Sequence, residues 1–489
     1  MRVGNFNRRG TVLDLDDITF VNAPKGPEAD RTRLQEGDVL ITITADVGMV
    51  GVVDKRVSQW KEGFINQHVC LVRLISTHLS SYIAYVLMDE RTQQQIRVRQ
   101  YGLTKTGLGL EDVKSLIIPL PPLPEQRRIV EAIEQQLTRL DAGVASLRRV
   151  QAGLRRYKAA VLKAACEGRL VPQDHGDEPT NALLRRIRGQ GSGFRGRRRK
   201  AGDDQAMQQP LNLDAADAAP PLLPQRERGP GGEGLLPELP KGWVWTTIDQ
   251  LISMLQYGTS VKADAPVSLG IPVLRMGNIQ EGTLDYSNLK YIDPEKEDIA
   301  KYALDAGDVL INRTNSPELV GKAGLFERTD TYVFASYLIR LRFWQDLVLP
   351  RYVTLCINSE VGRRHVVKVK HQVAGQANIN SQDIRTMPIP LPPLAEQQRI
   401  VAEVERRLSV VAEVEAAVAA NLKRAGRLRQ AILKRAFAGK LVPQDPSDEP
   451  AGVLLERIRS ERAQSAERKA GEGRRGRKRA EEQSRMEGM

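Results

Sequence analysis

The chain has 489 residues, more than one hydrophobic core normally holds, and its 73 basic and 60 acidic residues give a net charge of +13. This charge favours a polyanionic partner, nucleic acid before membrane, although a charge-rich protein without such a partner would have the same composition. The three cysteines have no CxxC spacing, which argues against a disulfide framework and a zinc cluster. The lack of a long apolar run argues against a secreted or membrane-spanning protein, and the two observations together predict a cytoplasmic protein.

Residues 1–118 and 239–389 each have the pattern of a mixed α/β domain. Both contain a predicted strand that follows an acidic turn, EGDVLITIT at 36–44 and AGDVLINRT at 306–314. A later strand, VCLVRLI or YLIRLRF, precedes a helical stretch and a loop. Because the positions that form the fold are shared while the loops differ, the pattern predicts one scaffold that displays two specificities.

Residues 119–188 return at 390–459 with a constant offset of 271 and no gap. After its prolines, each copy reads as one helix of roughly 43 residues, or ~60 Å, that ends near Gly168 or Gly439. A short second helix follows, ALLRRIR or VLLERIR. Apolar residues recur at alternating spacings of three and four, the heptad pattern of a helix packed along its length; they are Val130, Ile133, Leu137, Leu140, Val144, Leu147, Leu154 and Val161, and Val401, Val404, Leu408, Val411, Val418, Leu422, Ala425 and Ile432.

The repeated helices allow more than one partner. Two copies on one chain favour pairing with each other, whereas the same heptads could also pair with a second molecule. The PLPPLP segment could be a PxxP ligand for an SH3-like domain, but both copies run directly into a helix, which favours a structural role.

Two segments are predicted to be disordered. Residues 189–238 combine breakers with few aromatic residues and include a basic cluster, Arg195, Arg197, Arg198, Arg199 and Lys200. The tail at 460–489 is similarly charged. Both are interpreted as solvated segments, with phosphate contact as the alternative for the basic cluster.

No convincing catalytic or metal motif is present. Asn315-Ser316-Pro317-Glu318 departs from an NPPY-type methyltransferase motif, and Gly321-Lys322 lacks the earlier glycine of a Walker A loop. His175 lies among acidic residues, but the second copy of that segment has no histidine. The chain is therefore predicted to catalyse nothing alone and to hold no metal.

The chain resembles the specificity subunit of type I restriction–modification enzymes. The resemblance rests on LPKGWVWTTI at 239–248, GDVLI, the PLPPLxEQ segments that open the helices, and the doubled arrangement. It implies an α+β protein in which two α/β target-recognition domains are separated by two long helices packed as an antiparallel coiled coil, with an internal pseudo-twofold repeat. It also implies double-stranded DNA and two modification subunits as partners, with a restriction subunit as a further option. S-adenosylmethionine, ATP and Mg would be bound by those partners and no cofactor by this chain.

The expected target is an asymmetric, bipartite DNA site, because two different domains related by a pseudo-twofold can face one groove about one turn, ~34 Å, apart. Arg suits guanine, and Asn or Gln suits adenine, in the major groove. The candidate DNA contacts are Thr44, Asp46, Lys105, Thr106, Arg275, Asn278, Arg313, Thr314, Asn315, Lys322, Gln376 and Asn378. The candidate partner contacts open the two helices and are Pro121, Pro122, Glu125, Gln126, Pro392, Pro393, Glu396 and Gln397.

The first domain departs from the family pattern at its beginning. Its Arg-x-Gly-Asn turn, Arg2–Asn5, pairs with Arg275–Asn278, so residues 239–274 have no counterpart in it. The expectation is either a start codon placed too far downstream or a truncated subunit. Two functional alternatives also remain at this point, a coiled-coil scaffold that never contacts DNA and a self-contained enzyme.

Overall fold

A computed structural model describes residues 1–8, 10–59, 62–74, 77–102, 106–192, 236–280, 282–345, 347–373, 376–461 and 463–464. The chain forms two compact units. Unit 1 comprises Met1–Arg149 with Val418–Met489, and unit 2 comprises Val150–Ala417. Each unit therefore combines one α/β domain, termed a head below, with a part of both long helices. The boundary between the two units therefore falls within each long helix and not between a helix and its head.

The helices and strands of unit 1 follow the order predicted for the first head. They are α1 (Pro27–Thr32), β1 (Val39–Thr42), β2 (Val50–Val52), β3 (Val69–Val72), α2 (Ser80–Met88), α3 (Glu90–Arg99), α4 (Leu110–Lys114) and the first part of α5 (Leu123–Cys166). The strands form one antiparallel sheet in the order β2-β1-β3. All four residues of β1 are buried, as expected for a central strand.

Unit 2 contains more strands. After α6 (Thr180–Ser192) come β4 (Val244–Thr247), α7 (Ile248–Leu251), β5 (Ile252–Tyr257), β6 (Ile271–Leu274), β7 (Ile279–Gln280), β8 (Thr283–Leu284), β9 (Lys290–Ile292), α8 (Ile299–Tyr302), β10 (Val309–Asn312), β11 (Thr314–Asn315), β12 (Ala323–Leu325), β13 (Val333–Phe334), β14 (Leu338–Phe343), α9 (Pro350–Asn358), α10 (Glu360–Val369), β15 (His371–Val373), β16 (Gln376–Asn378), α11 (Ser381–Arg385), β17 (Pro388–Leu391) and the first part of α12 (Leu394–Ala436), whose second part belongs to unit 1. Its central sheet has the order β12-β10-β14-β5. Smaller sheets are β11-β16-β15, β13-β6-β9, β17-β4 and β7-β8.

The predicted common scaffold is confirmed. β10 lies between β12 and β14 as β1 lies between β2 and β3, and α2-α3 and α9-α10 follow in the two heads. A matching ion pair ties each central strand to its neighbour. Asp308 accepts from the Arg342 guanidinium at 2.7 and 2.8 Å, and Asp38 accepts from Arg73 at 2.8 and 2.7 Å.

The two long helices pack against each other in antiparallel fashion, as predicted. In unit 1, Ile133 near the beginning of α5 shares a buried cluster with Ile432 and Leu433 near the end of α12. In unit 2, Val161 near the end of α5 shares a cluster with Val404 near the beginning of α12. The pairing lies within one chain, so the heptads do not require a second molecule.

The helix ends agree with the sequence, whereas the first described residues of both segments that were predicted to be disordered are helical. Gly168 and Gly439 have φ of +65° and +68°, the left-handed conformation that favours glycine after a helix. α6 continues to Ser192, inside the predicted linker, and described residues from 460 onwards are helical, because the polar sequences there contain good helix formers. Residues 193–235, with the basic cluster, and 465–489 lie outside the described residues.

Candidate DNA-reading loops

Five candidate residues of the second head meet at one small sheet. β11 pairs with β16 so that Thr314 lies opposite Asn378 and Asn315 opposite Ala377. Arg313 precedes β11, and its carbonyl accepts from the Ile379 amide at 2.9 Å. Gln376 begins β16 and is exposed. The sequence placed these residues more than 60 positions apart on two loops, and the fold brings them together.

An aromatic ring supports Arg313. The guanidinium carbon lies 4.9 Å from the centroid of the Tyr257 ring, a cation–π contact that limits the side-chain rotamers. The Tyr257 hydroxyl in turn accepts from the Ser381 amide at 3.0 Å. The Nε of Arg313 is buried and has no hydrogen-bond partner in the described part of the chain. A fixed guanidinium of this kind suits bidentate recognition of an acceptor pair such as that of guanine.

Lys322 lies next to the end of β10, the central strand that leads into Arg313 and β11. Its carbonyl accepts from the Asn312 amide at 2.9 Å, and the Gly321 amide donates to the Asn312 carbonyl at 2.7 Å. Gly321 has a φ of +75°, so this tight return favours glycine. The Lys322 ammonium makes no ion pair with a described residue, and a single flexible cation fits a phosphate better than a base.

The first head uses the same arrangement with different side chains. Thr44, just after β1, forms a bridge with Gly107, and the Thr106 hydroxyl lies 3.5 Å from the Ala45 carbonyl. The Thr44 hydroxyl also lies 2.6 Å from Nδ1 of His68. Asp46 forms an exposed ion pair with Arg8 at 2.5 Å. Lys105 lies outside the described residues.

Asn278 and Arg275 form a turn. The buried Asn278 side chain accepts from the Arg275 amide at 2.9 Å and donates to the Asp285 carbonyl at 2.8 Å. Asn5 does the same in the first head, accepting from the Arg2 amide at 2.9 Å. Because both ends of the Asn278 amide are used inside the chain, the fold by itself accounts for this asparagine, and its role as a DNA contact stays a prediction. Arg275 donates from its guanidinium to the Asn288 carbonyl at 3.2 Å.

The candidate partner contacts brace the junction between each head and its helix. Gln126 donates to the Pro121 carbonyl at 2.8 Å, and Gln397 donates to the Pro392 carbonyl at 3.1 Å. Glu125, Gln126, Pro392, Pro393, Glu396 and Gln397 are buried, and Pro121 and Pro122 are half-buried. These contacts account for the repeated proline–Glu-Gln pattern within the chain, whereas binding of a partner at these residues stays a prediction.

Burial raises the pKa of Glu396. Its carboxylate accepts from the Trp243 indole at 2.9 Å, which opposes the effect of burial on the pKa but does not cancel it. This buried contact joins Glu396 of α12 to Trp243, the residue directly before β4. It is one reason why the head and the helix form a single unit.

Sequence reasoning missed residues that stand beside the paired loops. Tyr257 supports Arg313, and half-exposed Tyr337 accepts from the Arg313 amide through its carbonyl at 3.0 Å. His371 and Gln372 are exposed on β15, next to β16. The sequence signal for β15 was only a short polar run after α10. In the first head, Tyr101 pairs with Gly107 as Thr44 does.

No helix among the described residues combines the length and the apolar character needed to cross a bilayer. Within the same residues, no group of three His, Cys, Asp or Glu side chains could hold a metal ion.

The two heads and their shared helical pair have the architecture of a duplicated recognition protein. Residues 26–143 and 240–416 match the model of the type I restriction modification DNA specificity domain. These matches span more than half of the chain, and the chain therefore belongs to that family, whose function is sequence-specific DNA recognition. This membership disfavours the scaffold that never contacts DNA.

Particular relatives match over most of their length. The specificity subunit of the type I restriction enzyme EcoKI of Escherichia coli (strain K12) is 24% identical over 471 residues, which cover 94% of this chain and 88% of the relative. The StySPI specificity subunit of Salmonella potsdam is 25% identical over 469 residues, 94% of this chain and 87% of the relative. A solved chain from a study of assembly and conformational transition of the type I R-M system has a TM-score of 0.55 and 20% identity, with 90% of each chain covered. This last likeness shows the fold.

Proposed function

We propose that the chain reads an asymmetric DNA target in two halves, one with each head. The observation that carries this proposal is the paired loop that follows the central strand of both heads. The first head presents Thr44 and Thr106 at this place, and the second presents Arg313, Asn315 and Asn378. Two loops at the same place in the fold that carry different donors and acceptors suit different base sequences.

The chain is proposed to supply specificity while other subunits catalyse. Methyltransferase subunits, two per chain, would dock on the helical region and bind S-adenosylmethionine, and a restriction subunit with ATP and Mg would be an additional partner. The names of the relatives support this assembly, since each is the specificity subunit of a type I restriction enzyme.

Methylation mapping of the host genome, with and without the gene, tests the proposal. Arg313→Ala should relax or abolish recognition of one half-site and leave the other half-site unchanged, at a cost of about 1–3 kcal/mol for a bidentate base contact. Lys322→Ala should weaken binding similarly for all sequences and reduce its salt dependence, as expected for a phosphate contact. Arg186→Ala, a charge-matched change at a half-exposed residue of α6, serves as the control.

Two results would contradict the proposal. One is a palindromic methylated site, since two different heads would then read the same half-sequence. The other is an unchanged methylation pattern both in Arg313→Ala and in a variant of the first-head loop, Thr106→Ala.

A further inference from the structure

The residue directly before β14 is attached to the paired loops of the second head. Tyr337 lies in a tight turn, in which the Leu338 amide donates to the Ala335 carbonyl at 2.9 Å. The Tyr337 carbonyl accepts from the Arg313 amide at 3.0 Å, and its side chain is 50% exposed. The fold therefore places a third chain segment beside β11 and β16.

The first head repeats this turn with a histidine in the place of Tyr337. The Val69 amide donates to the Asn66 carbonyl at 3.1 Å. His68, directly before β3, accepts through its carbonyl from the Ile43 amide at 2.9 Å. Because the same backbone hydrogen bonds form in both heads, the two turns are equivalent in the fold.

The first head lacks the cation that the second head presents next to this turn. Ile43 directly follows β1 as Arg313 directly follows β10, and each donates its amide to the residue before β3 or β14. Ile43 is half-buried, and its side chain has no group that forms a hydrogen bond. A polar contact to a base at this place of the first head must therefore come from another residue.

The His68 imidazole lies at this place and is held there. Its Nδ1 lies 2.6 Å from the Thr44 hydroxyl, and Thr44 pairs with Gly107 where the two loops of the first head meet. The contact restricts the imidazole as the Tyr257 ring restricts Arg313. The second ring nitrogen, Nε2, forms no hydrogen bond with a described residue. Since Nδ1 is occupied, Nε2 is the nitrogen that can contact another molecule.

We propose that His68 is a specificity-determining residue of the first head, which contacts the major-groove edge of one base pair through Nε2. Thr44 is a positioning residue for the ring. The inference rests on the proposed function and assigns to His68 the place that Arg313 is proposed to take in the second head. One ring nitrogen forms one hydrogen bond, whereas a guanidinium can form two with the same base. Discrimination at this position should therefore be weaker than at the position read by Arg313.

Methylation mapping of the host genome with variants of the full chain tests the inference. Arg313→Ala identifies the half-site of the second head, and the other half-site belongs to the first head. His68→Ala should reduce the preference for one base in the first half-site about 2- to 10-fold, as for one hydrogen bond, and leave the second half-site unchanged. His175→Ala changes an exposed histidine after α5 and should change neither half-site.

Two amide variants separate base reading from a structural role of His68. In His68→Asn the amide takes the place of Nδ1 and can still bond to Thr44, whereas in His68→Gln it reaches the place of Nε2. His68→Gln should retain a preference for one base at this position, and His68→Asn should lose it. The opposite order would show that His68 only holds Thr44, and it would overturn the inference. The same pair decides the matter if His68→Ala abolishes methylation at all sites.

Two further results would overturn the inference. One is an unchanged first half-site in His68→Ala. The other is methylation that falls equally for all sequences, as expected for a phosphate contact. If Arg313→Ala changes its own half-site while the His68 variants change nothing, the proposed function stands and this inference alone fails.

Discussion

Replacing Asp308 with asparagine should destabilise the second head strongly. Asp308 is fully buried and holds Arg342 through two hydrogen bonds of 2.7 and 2.8 Å and Arg340 at 3.5 Å. It also accepts from the Asp305 amide at 2.9 Å. Burial lowers the pKa of Arg340, and Asp308 counters this effect by favouring the charged guanidinium. Asparagine removes the negative charge and turns an amide NH₂ towards two cations.

The expected cost follows from the burial of the partner. Removing one member of a buried ion pair costs about 3–5 kcal/mol, since the remaining charge stays out of water. The Arg340 side chain is only 4% exposed and cannot be rehydrated without opening the sheet. For Asp308→Asn, amides of β10 and β14 should therefore exchange about a hundredfold faster or more.

The repeat supplies a matched comparison. Asp38→Asn removes the corresponding carboxylate of the first head, but its partner Arg73 is 39% exposed and can return to water. The expected cost is that of a hydrogen bond to a charged group, about 1.5–3 kcal/mol. Asp330→Asn breaks an exposed pair with Arg328 and should cost about 1 kcal/mol or less.

Site-resolved hydrogen exchange of the full chain measures all three variants. The reasoning is refuted if Asp308→Asn accelerates exchange in β10 by less than about tenfold, or about 1.4 kcal/mol, or if Asp38→Asn has the larger effect in its own head.

Two further variants probe the junction between head and helix and the loop that is proposed to read DNA. Glu396→Gln keeps an acceptor for Trp243 and should stabilise unit 2 at neutral pH. Burial raises the pKa of Glu396 in the folded state above 4.5. The free energy of unfolding of the wild type therefore falls as the pH rises through that raised pKa, and the glutamine avoids this loss. Exchange in β4 measured from pH 4 to 8 checks this, and a gain that does not shrink towards low pH would contradict it. Tyr257→Leu removes the ring beside Arg313 and should weaken DNA binding by roughly 2- to 30-fold, as expected for loss of a cation–π contact of about 0.5–2 kcal/mol. Tyr257→Phe keeps a ring and should keep most of the affinity. Equal losses of affinity in both variants would refute a role for the ring.

The sequence predicted the repeated elements well because they depend on local pattern. The heptads of α5 and α12 and the glycine caps at Gly168 and Gly439 are signals carried by neighbouring residues. The pairing of β11 with β16 joins residues more than 60 positions apart, and no periodicity encodes it. Polarity alone also cannot separate Asn278, buried in a turn, from Asn315, which lies on the paired loop after β10.

The burial of the proline–Glu-Gln segments shows a further limit of sequence reasoning. A polar pair at the beginning of a helix is predicted to be exposed, since charged residues are rarely fully buried. Glu396 and Gln397 are buried because Trp243, far away in sequence, and the Leu349 amide supply donors. Contacts over such distances in the chain depend on tertiary packing, which the local pattern does not contain.

The division of the chain into units predicts that the first head depends on the end of the sequence. A chain that stops at residue 417 removes Ile432, Leu433 and Phe437, which pack with Ile133 in unit 1, and Phe437 also forms an edge contact with the Tyr82 ring at 5.7 Å. Burial of three such side chains contributes about 5–9 kcal/mol, which is comparable with the whole stability of a domain, about 5–15 kcal/mol.

Truncation at residue 417 should therefore unfold the first head and leave the central sheet of unit 2 protected, because the residues that form unit 2 end at Ala417. A chain that stops at residue 464 retains these contacts and should behave as the full chain does. Hydrogen exchange of β1 and β10 in the two truncated chains distinguishes the heads. Full protection of β1 after truncation at residue 417 would show that the first head folds on its own sequence, and that the end of α12 packs against it without being needed for its stability.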